Sequence, residues 1–497
     1  MHDALRELRG RLAEIHDLSA AGGLLGWDQQ TMMPARGGPL RAEQLGTLGR
    51  IVHERFTDDE VGRLLDALDG VDPDTTDGAI VRVTRRDWEK ARRVPADLAA
   101  DIARAGALGH QAWVDARERS DFAAFLPFLE RNVELKLRYI ACFDGFEDPY
   151  DVLLDDYEEG MTSAEVDALF SELRDALVPL IAAVAQRADA VDAAMLHGDF
   201  PIERQRALVR RVVERLGWDA EGWRLDEAAH PFATTIGPDD VRLTTRFDPS
   251  YVGMALYGTI HEFGHGLYES QVDPALARTS LEGGVSLGVH ESQSRLWENV
   301  VGRGRPFAGW LHGELREAFP ERFGAVDSEA FYRAVNRVEP SLIRVEADEA
   351  TYGLHIILRF ELEREMIAGT LALRDLPEAW NARMREYLGV EVPDDAHGVL
   401  QDVHWSGGDI GYFSTYALGN LISAQLWERA RADLPGLDAS LAAGEVGALR
   451  EWLREHVHRF GRTYPPRELM LRAVGEPIKV QPFVAYLREK LTPIYGL

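Results

Sequence analysis

The stretch VGMALYGTIHEFGH, residues 252–265, joins an apolar run to three polar side chains that can carry metal chemistry. Residues 252–260 are apolar enough to form a buried helix, and His261, Glu262 and His265 follow directly. On a helix, positions i and i+4 lie on one face, so both imidazoles can bind one ion. Glu262 then lies beside the ion, where it can accept a proton from water. The stretch predicts a metal site with a carboxylate base on a buried helix.

The composition is ordinary for a large soluble globular protein. The chain has 497 residues, of which 45% are hydrophobic and 28% charged, and this length allows a sizeable core. Cys142 is the only cysteine, which excludes an internal disulfide and a thiolate-built metal site. No apolar run reaches the length of a membrane span, and the first nine residues mix both charge signs, unlike a signal peptide. We therefore expect a cytoplasmic enzyme that does not bind membranes.

The net charge of −28 argues against nucleic acid as a partner. No Pro- or Ser-rich linker, low-complexity tract or repeat interrupts the sequence. We expect one catalytic domain over residues 1–497, with two helical lobes that flank a cleft.

The hydrophobic periodicity predicts a mainly α fold. Apolar residues recur at three- and four-residue spacing through residues 5–15, 354–363 and 417–430. Thr162–Glu165 has the pattern of a capping box, which marks the start of a helix. The best strand candidate is residues 241–247, where β-branched and charged residues alternate.

The third metal ligand is left open by the spacing. A catalytic zinc site typically has three protein ligands and one open position. His290, Glu291 and Glu298 all follow the motif closely enough to supply the third. On a helix, Glu291 and Glu298 lie two turns apart on roughly one face, whereas His290 points elsewhere. Residue spacing does not choose among the three.

Several further blocks accompany the metal motif. They are Leu25–Pro34, His230–Phe232, Asp240–Thr244, His290–Gln293, Ile343–Asp348 and Gly398–Trp405. With these blocks in this order, the chain resembles the carboxypeptidase Taq family of metallocarboxypeptidases over most of its length. The resemblance implies a mainly α, elongated fold with a deep central groove, and a small β-sheet near the active site. It also implies that Glu291 is the third ligand, that the metal is zinc with cobalt able to substitute, and that the protein is a homodimer.

The implied reaction releases single C-terminal amino acids from peptides. Zinc on His261, His265 and Glu291 would lower the pKa of bound water, and Glu262 would accept its proton. Donors must also face the developing oxyanion. Our candidates are His404, Tyr412 and Tyr416, in and after the glycine-rich turn at 406–411, with both tyrosines expected on one face of the next helix.

The terminal carboxylate of the substrate suits an arginine, whose planar fork can bind it through two hydrogen bonds. Arg242 and Arg344 lie in blocks that match the family, and the sequence leaves open which of them binds the carboxylate. His230 is a further candidate for substrate binding.

Three other interpretations compete with this one. Residues 284–288 fit the G-x-S-x-G pattern of a serine hydrolase, with Ser286 as nucleophile. An endopeptidase or a dipeptidyl carboxypeptidase could use the same zinc centre. A metal-free binding protein is the third alternative.

Overall fold

The computed structural model describes residues 2–497 and consists mainly of α-helices, as predicted. Within this range, none of the helices combines the length and the apolar character needed to span a bilayer. The first helices are α1 (His2–Thr31), α2 (Gly38–Phe56), α3 (Asp59–Asp66), α4 (Thr76–Arg93), α5 (Ala96–Arg119), α6 (Phe122–Ile140), α7 (Pro149–Leu154), α8 (Ser163–Ala185) and α9 (Ile202–Leu216).

Three strands follow α9, and the remaining helices follow the strands. The strands are β1 (Trp223–Glu227), β2 (Ala233–Gly237) and β3 (Asp240–Thr245). The later helices are α10 (Gly253–Ser270), α11 (Leu287–Arg295), α12 (Arg305–Ala318), α13 (Pro320–Phe323), α14 (Ser328–Val335), α15 (Glu349–Ala368), α16 (Leu376–Leu388), α17 (His404–Gly407), α18 (Ser414–Asp433), α19 (Leu437–Ala442), α20 (Gly447–His456), α21 (Pro466–Val474) and α22 (Gln481–Tyr495). A π-helical segment, Leu296–Gly302, continues α11 directly.

The helices predicted from periodicity are confirmed. Residues 5–15 lie in α1, 354–363 in α15 and 417–430 in α18. At the start of α8, the Thr162 side chain accepts a hydrogen bond from the Glu165 N–H, and the Glu165 carboxylate accepts one from the Thr162 N–H. This is the predicted capping box, and it satisfies two amide groups that have no partner within the helix.

The small sheet lies beside the helix that carries the metal motif. The predicted strand is the central one, β3, which pairs parallel with β1 and antiparallel with β2. Val241 and Leu243 of β3 are buried and face Gly266 of α10. A Cβ atom at Gly266 would lie 2.8 Å from Val241 Cγ1 and 3.0 Å from Leu243 Cδ2. A larger residue at position 266 would force these side chains to move, so Gly266 allows the sheet and α10 to lie close together.

The N-terminal helices pack onto the segment that joins α10 to α11. Leu8 and Leu12 of α1 belong to a hydrophobic cluster with residues of α3 and α4. Val272, Leu276 and Leu281, which lie between α10 and α11, belong to the same cluster. A larger cluster extends through the rest of the protein and includes Phe263 of α10. The connection between α10 and α11 is therefore held by buried apolar contacts.

Candidate metal centre and active site

Helix α10 carries His261, Glu262 and His265 within a buried segment. The predicted helix over 252–265 is confirmed, and its apolar residues Leu256, Ile260 and Phe263 are buried. The rings of His261 and His265 lie on one face with their centroids 5.0 Å apart. This is the arrangement that the four-residue spacing predicts.

Glu291 of α11 faces the two histidines. Its Oε2 atom lies 3.8 Å from His261 Nε2 and 3.4 Å from His265 Nε2. The three side chains offer ligand atoms within 4.8 Å of one another. Donors on one tetrahedral ion, with bonds of about 2.1 Å, are separated by about 3.4 Å. Two imidazole nitrogens and a carboxylate oxygen at these separations fit a divalent metal such as zinc.

Two glycines allow α11 to lie this close to its neighbours. A Cβ atom at Gly264, inside the metal motif, would lie 2.6 Å from the carbonyl oxygen of Gln293. On the opposite side, a Cβ atom at Gly419 of α18 would lie 2.8 Å from Glu291 Cγ. Both distances are too short for any larger residue. Helix α11 is thus held between α10 and α18, with Glu291 turned toward the histidines.

Glu298, the second candidate ligand, lies behind His261. Its Oε2 atom is 2.8 Å from His261 Nδ1, the ring nitrogen that faces away from Glu291. Arg303 donates to the other oxygen of Glu298 at 2.8 Å, and Arg295 lies 3.4 Å from Oε2. Burial opposes ionisation, but Arg303 and His261 hold the pKa of Glu298 far below its usual range. The carboxylate therefore accepts the Nδ1–H of His261 and leaves Nε2 free for a metal.

His290, the third candidate, lies behind His265. Its Nδ1 atom is 2.6 Å from His265 Nδ1, and its Nε2 atom is 2.6 Å from Glu269 Oε1. The helical projection suggested that His290 points away from the site, and this expectation was wrong. His290 contacts the ring nitrogen of His265 that faces away from Glu291.

Burial opposes the charged form of each central residue, and at His261 and Glu291 neighbouring charges outweigh it. Burial raises the pKa of Glu262 to about 7, and only 7% of this residue is exposed. Burial lowers the pKa of His265 to about 4. At His261, burial acts in the same direction, but Glu291 and Glu298 raise the pKa above its usual value. Glu291 itself is buried, yet Arg295 and His261 hold its pKa well below the usual range, so it is a carboxylate.

His404, Tyr412 and Tyr416 form one cluster. His404 begins α17, and its Nε2 atom lies 3.4 Å from the Tyr416 hydroxyl. The rings of Tyr412 and Tyr416 have centroids 5.3 Å apart. Tyr412 is not on the same helix as Tyr416, contrary to the expectation, because α18 begins only at Ser414. Gly411 has a φ of 96°, and this turn delays the helix but still brings the rings together.

All three side chains of this cluster are uncharged at neutral pH. Burial lowers the pKa of His404 to about 4. Burial raises the pKa of Tyr412, and that of Tyr416 to a greater extent. Both tyrosines therefore keep their hydroxyl hydrogens and can donate to a substrate oxygen.

A chain of contacts connects this cluster to Glu291. Arg295 donates from Nε to Glu291 Oε1 at 2.7 Å, and its guanidinium lies 4.3 Å from the centre of the Tyr352 ring. The Tyr352 ring meets the Tyr416 ring edge-on, with centroids 6.1 Å apart. The metal-binding set and the His404 cluster therefore belong to one site.

Arg344 belongs to the same site, because it contacts Tyr352. Its Nη1 donates to the Tyr352 hydroxyl at 2.8 Å, while Nε and Nη2 donate to Asp402 Oδ1 at 3.0 and 2.7 Å. Arg359, which is fully buried, pairs with the other oxygen of Asp402 at 2.6 Å. Burial opposes ionisation of Asp402, but the two arginines hold its pKa far below the usual range. Two cations share one anion here, so these three side chains together carry one net positive charge.

Asp402, Arg359 and Tyr352 were not among the predicted site residues. Asp402 lies in the block 398–405 that the sequence analysis quoted, directly before Val403 and His404. Its position in this block was the only sequence feature that could have indicated Asp402 as a site residue. Arg359 and Tyr352 lie on α15 among many buried residues, and nothing in the local pattern distinguishes them.

Arg242 and His230 lie outside this network of contacts. Arg242 is on β3, and both Nε and Nη2 donate to Asp240, at 2.7 and 2.8 Å. Its guanidinium lies 4.4 Å from the Trp27 ring centre. His230 is exposed in the connection between β1 and β2, and within residues 2–497 its side chain makes no hydrogen bond to the metal-binding set.

Ser286 does not have the surroundings of a catalytic serine. It is the N-cap of α11, and its hydroxyl donates to Glu158 Oε1 at 2.7 Å and accepts from the Val289 N–H. A nucleophile elbow requires a strand before the serine, but the segment before Ser286 follows α10 without an intervening strand. Glu158, which also accepts from the Gly288 N–H at 2.9 Å, is another buried residue that the sequence analysis missed.

The chain is also similar to known proteins in sequence and in overall structure. A sequence model of the carboxypeptidase Taq (M32) metallopeptidases matches residues 7–491. Thermostable carboxypeptidase 1 of Thermus thermophilus is 42% identical over 492 residues, 96% of each chain. Carboxypeptidase 1 of Bacillus subtilis is 39% identical over 501 residues, 100% of each chain. The crystal structure of an M32 carboxypeptidase from Deinococcus radiodurans R1 superposes with a TM-score of 0.97 at 45% identity and covers 100% of both chains.

Proposed function

Because the chain belongs to the carboxypeptidase Taq (M32) metallopeptidase family, we propose that it releases single C-terminal amino acids from peptides, with one zinc ion and Glu262 as general base. Membership of the family makes it a metallocarboxypeptidase, a hydrolase of peptide bonds. The observation that carries the finer proposal is that His261 and His265 of α10 converge with Glu291 of α11, with ligand atoms within 4.8 Å of one another, and that Glu262 lies next to His261 on α10.

The donor set supports zinc. Two imidazole nitrogens and one carboxylate oxygen are characteristic of zinc peptidases, and cobalt accepts similar donors. When bound, such an ion supplies Lewis acidity, which lowers the pKa of a water molecule and polarises the scissile carbonyl. His261, His265 and Glu291 would hold it, and we propose zinc as the native metal with cobalt able to replace it.

Glu262 moves the proton. Its carboxylate accepts a proton from the attacking water and delivers it to the nitrogen of the leaving amine. Burial raises the pKa of Glu262 to about 7, and a general base works best when its pKa lies near the working pH. The buried position also excludes bulk water from the transfer.

The hydroxyls of Tyr412 and Tyr416 and the ring of His404 stabilise the oxyanion. This assignment is supported by two observations. All three side chains are uncharged donors in one cluster, and Tyr352 and Arg295 connect that cluster to Glu291. Donors of this kind contribute most where charge develops in a site that excludes water.

Arg344 binds the terminal carboxylate of the substrate. The pair of Arg344 and Arg359 exceeds the charge of Asp402 by one, and a buried net positive charge favours an anionic ligand. Arg242 has its charge balanced by Asp240, so we assign it to contacts with the peptide backbone. His230, exposed beyond β1, is assigned to the same outer part of the substrate site.

The remaining assignments from the sequence stay predictions. They are one catalytic unit over residues 1–497 with a cleft between two lobes, a homodimer, a cytoplasmic location, and peptides as substrates without nucleic acid or membrane partners. An endopeptidase or a dipeptidyl carboxypeptidase remains the alternative function. The net positive charge of Arg344, Arg359 and Asp402 favours an exopeptidase that binds a chain end.

The test is digestion of one defined peptide, with a free C-terminus and as its C-terminal amide, followed by mass spectrometry. We expect single residues to be released in sequence from the free acid, and the amide to resist cleavage. A chelator should stop the reaction, zinc or cobalt should restore it, and a serine-directed fluorophosphonate should have no effect. Release of dipeptides or internal cuts would replace this proposal by the alternative.

A further inference from the structure

The two histidines of the metal-binding set have different groups behind them. His261 Nδ1 contacts the carboxylate of Glu298 directly, at 2.8 Å. His265 Nδ1 instead contacts another imidazole, His290, at 2.6 Å, and that imidazole contacts Glu269 at 2.6 Å. Behind His265, the ring of His290 thus lies between the metal-binding histidine and the carboxylate of Glu269.

The order of donors along this chain follows from the chemistry of its last member. Glu269 Oε1 already accepts a hydrogen bond from the Gly284 N–H at 3.2 Å, and a carboxylate offers acceptors only. His290 Nε2 must therefore carry the hydrogen that Glu269 accepts. In a neutral imidazole the other nitrogen is then a lone-pair acceptor. His290 Nδ1 consequently accepts a hydrogen bond from His265 Nδ1–H.

This order determines the state of the ligand nitrogen. When Nδ1 of a neutral His265 carries the hydrogen, Nε2 has the lone pair, and Nε2 is the atom that faces Glu291 at 3.4 Å. The opposite order would place a hydrogen on Nε2 and prevent metal binding there. We infer that Glu269 and His290 are positioning residues that hold His265 in its metal-binding tautomer. The inference rests on the proposed metal site.

The surrounding backbone fixes the ring of His290. The Gly284 N–H donates to Glu269 Oε1 at 3.2 Å. A Cβ atom at Gly284 would lie only 2.6 Å from His290 Cδ2, so the backbone packs directly on the edge of the ring. This packing restricts the His290 ring, and the Gly284 N–H helps to hold the Glu269 carboxylate in place.

Paired variants separate hydrogen bonding from packing. Glu269→Ala removes the acceptor, whereas Glu269→Gln keeps a carbonyl oxygen for His290 Nε2–H. His290→Phe removes both ring nitrogens, whereas His290→Asn retains an oxygen that can accept from His265 Nδ1–H. His397→Phe is the matched control, because His397 pairs with Asp394 on the exposed surface. The measurement is the zinc dissociation constant, obtained by competition with a chelating dye.

We expect Glu269→Ala and His290→Phe to weaken zinc binding roughly 10- to 100-fold. Glu269→Gln, His290→Asn and His397→Phe should stay within a few-fold of the unmodified protein. Equal affinities for all variants, or equal losses for Phe and Asn at position 290, would overturn the inference but leave the metal site standing. Failure of the unmodified protein to bind zinc would overturn the proposed function itself.

The hydrogens can also be located directly, without any variant. Neutron diffraction from deuterium-exchanged crystals of the zinc-loaded protein should show deuterium on His265 Nδ1 and His290 Nε2, and none on His290 Nδ1. Deuterium on both nitrogens of His290 would contradict the inference.

Discussion

Gly264 of α10 lies against Ser294 of α11, so that a Cβ atom at Gly264 would be 2.7 Å from the Cα atom of Ser294. The atoms in the way are backbone atoms, which cannot move aside as a flexible side chain can. This contact fixes the separation of the helices that carry the two histidines and Glu291. Gly264, inside the metal motif, thereby controls the position of Glu291 relative to the two histidines.

Replacing Gly264 by Ala should separate the two helices. We expect a loss of roughly 1–3 kcal/mol in stability from overpacking, and weaker zinc binding because Glu291 moves relative to the histidines. Gly258→Ala is the control on the same helix, since a Cβ atom there has no neighbour within 4 Å. That variant should be neutral or more stable. The measurements are the melting temperature and the zinc affinity of both variants. Equal values for Gly264→Ala and Gly258→Ala would contradict this prediction.

Replacing Glu262 by Gln should separate metal binding from catalysis. The amide has the size of the carboxylate but cannot accept the proton, so kcat should fall roughly 10²- to 10⁴-fold. His261, His265 and Glu291 are unchanged, so elemental analysis should still find zinc. Glu391→Gln makes the same chemical change at an exposed ion pair with Arg385 and should keep full activity. A Gln variant at position 262 with normal turnover would exclude Glu262 as the base.

The sequence predicted the parts of the site that depend on local geometry. The four-residue spacing of His261 and His265 places them on one helical face wherever the helix packs. The spacing of Glu291 and Glu298 was also informative, since both do face His261. They approach opposite nitrogens of its ring, at 3.8 and 2.8 Å, and Glu298 lies on the π-helical segment after α11, which the α-helical spacing did not predict. The family resemblance, not the spacing, selected Glu291.

Contacts between distant segments could not be predicted from the pattern. Asp402 accepts from two arginines, 43 and 58 residues earlier in the chain, and no periodicity connects such positions. Tyr412 was expected on a helix because it lies four residues before Tyr416. The left-handed turn at Gly411 shows why the helix begins later than that spacing suggested.

Removing Arg344 should reduce the preference for a free C-terminus. Without it, Asp402 and Arg359 balance each other, and these side chains no longer carry a net positive charge for the substrate carboxylate. We expect the ratio of kcat/KM for a free acid to that for its amide to fall roughly 100-fold, since charged hydrogen bonds contribute about 1.5–3 kcal/mol each. The loss should be mainly in KM, measured with one peptide in both forms.

Arg242→Ala is the informative comparison, because the sequence left the two arginines undecided. Its charge is balanced by Asp240, so we expect the ratio to stay unchanged although overall activity falls. A collapse of the ratio in this variant, with Arg344→Ala unaffected, would reverse the two assignments.

Glu158 gives a pH dependence of stability at the start of α11. Burial raises its pKa to about 7, although the Ser286 hydroxyl and the Gly288 N–H lower it. The value in the unfolded chain is near 4.5. A carboxyl with a raised folded pKa contributes stability that is fully present below about pH 4.5 and is lost as the pH rises through about 7.

Replacing Glu158 by Gln should remove this loss. The amide oxygen can accept from the Gly288 N–H, and the amide nitrogen can donate to Ser286 Oγ, so both contacts survive without a charge to bury. The melting temperature of Glu158→Gln relative to the unmodified protein should therefore rise between pH 5 and 7 and level off above pH 8, by an amount equivalent to at most about 3 kcal/mol. The exposed control Glu391→Gln should show no such rise. A constant difference across this range would mean that Glu158 is ionised throughout, with its charge stabilised by the first turn of α11.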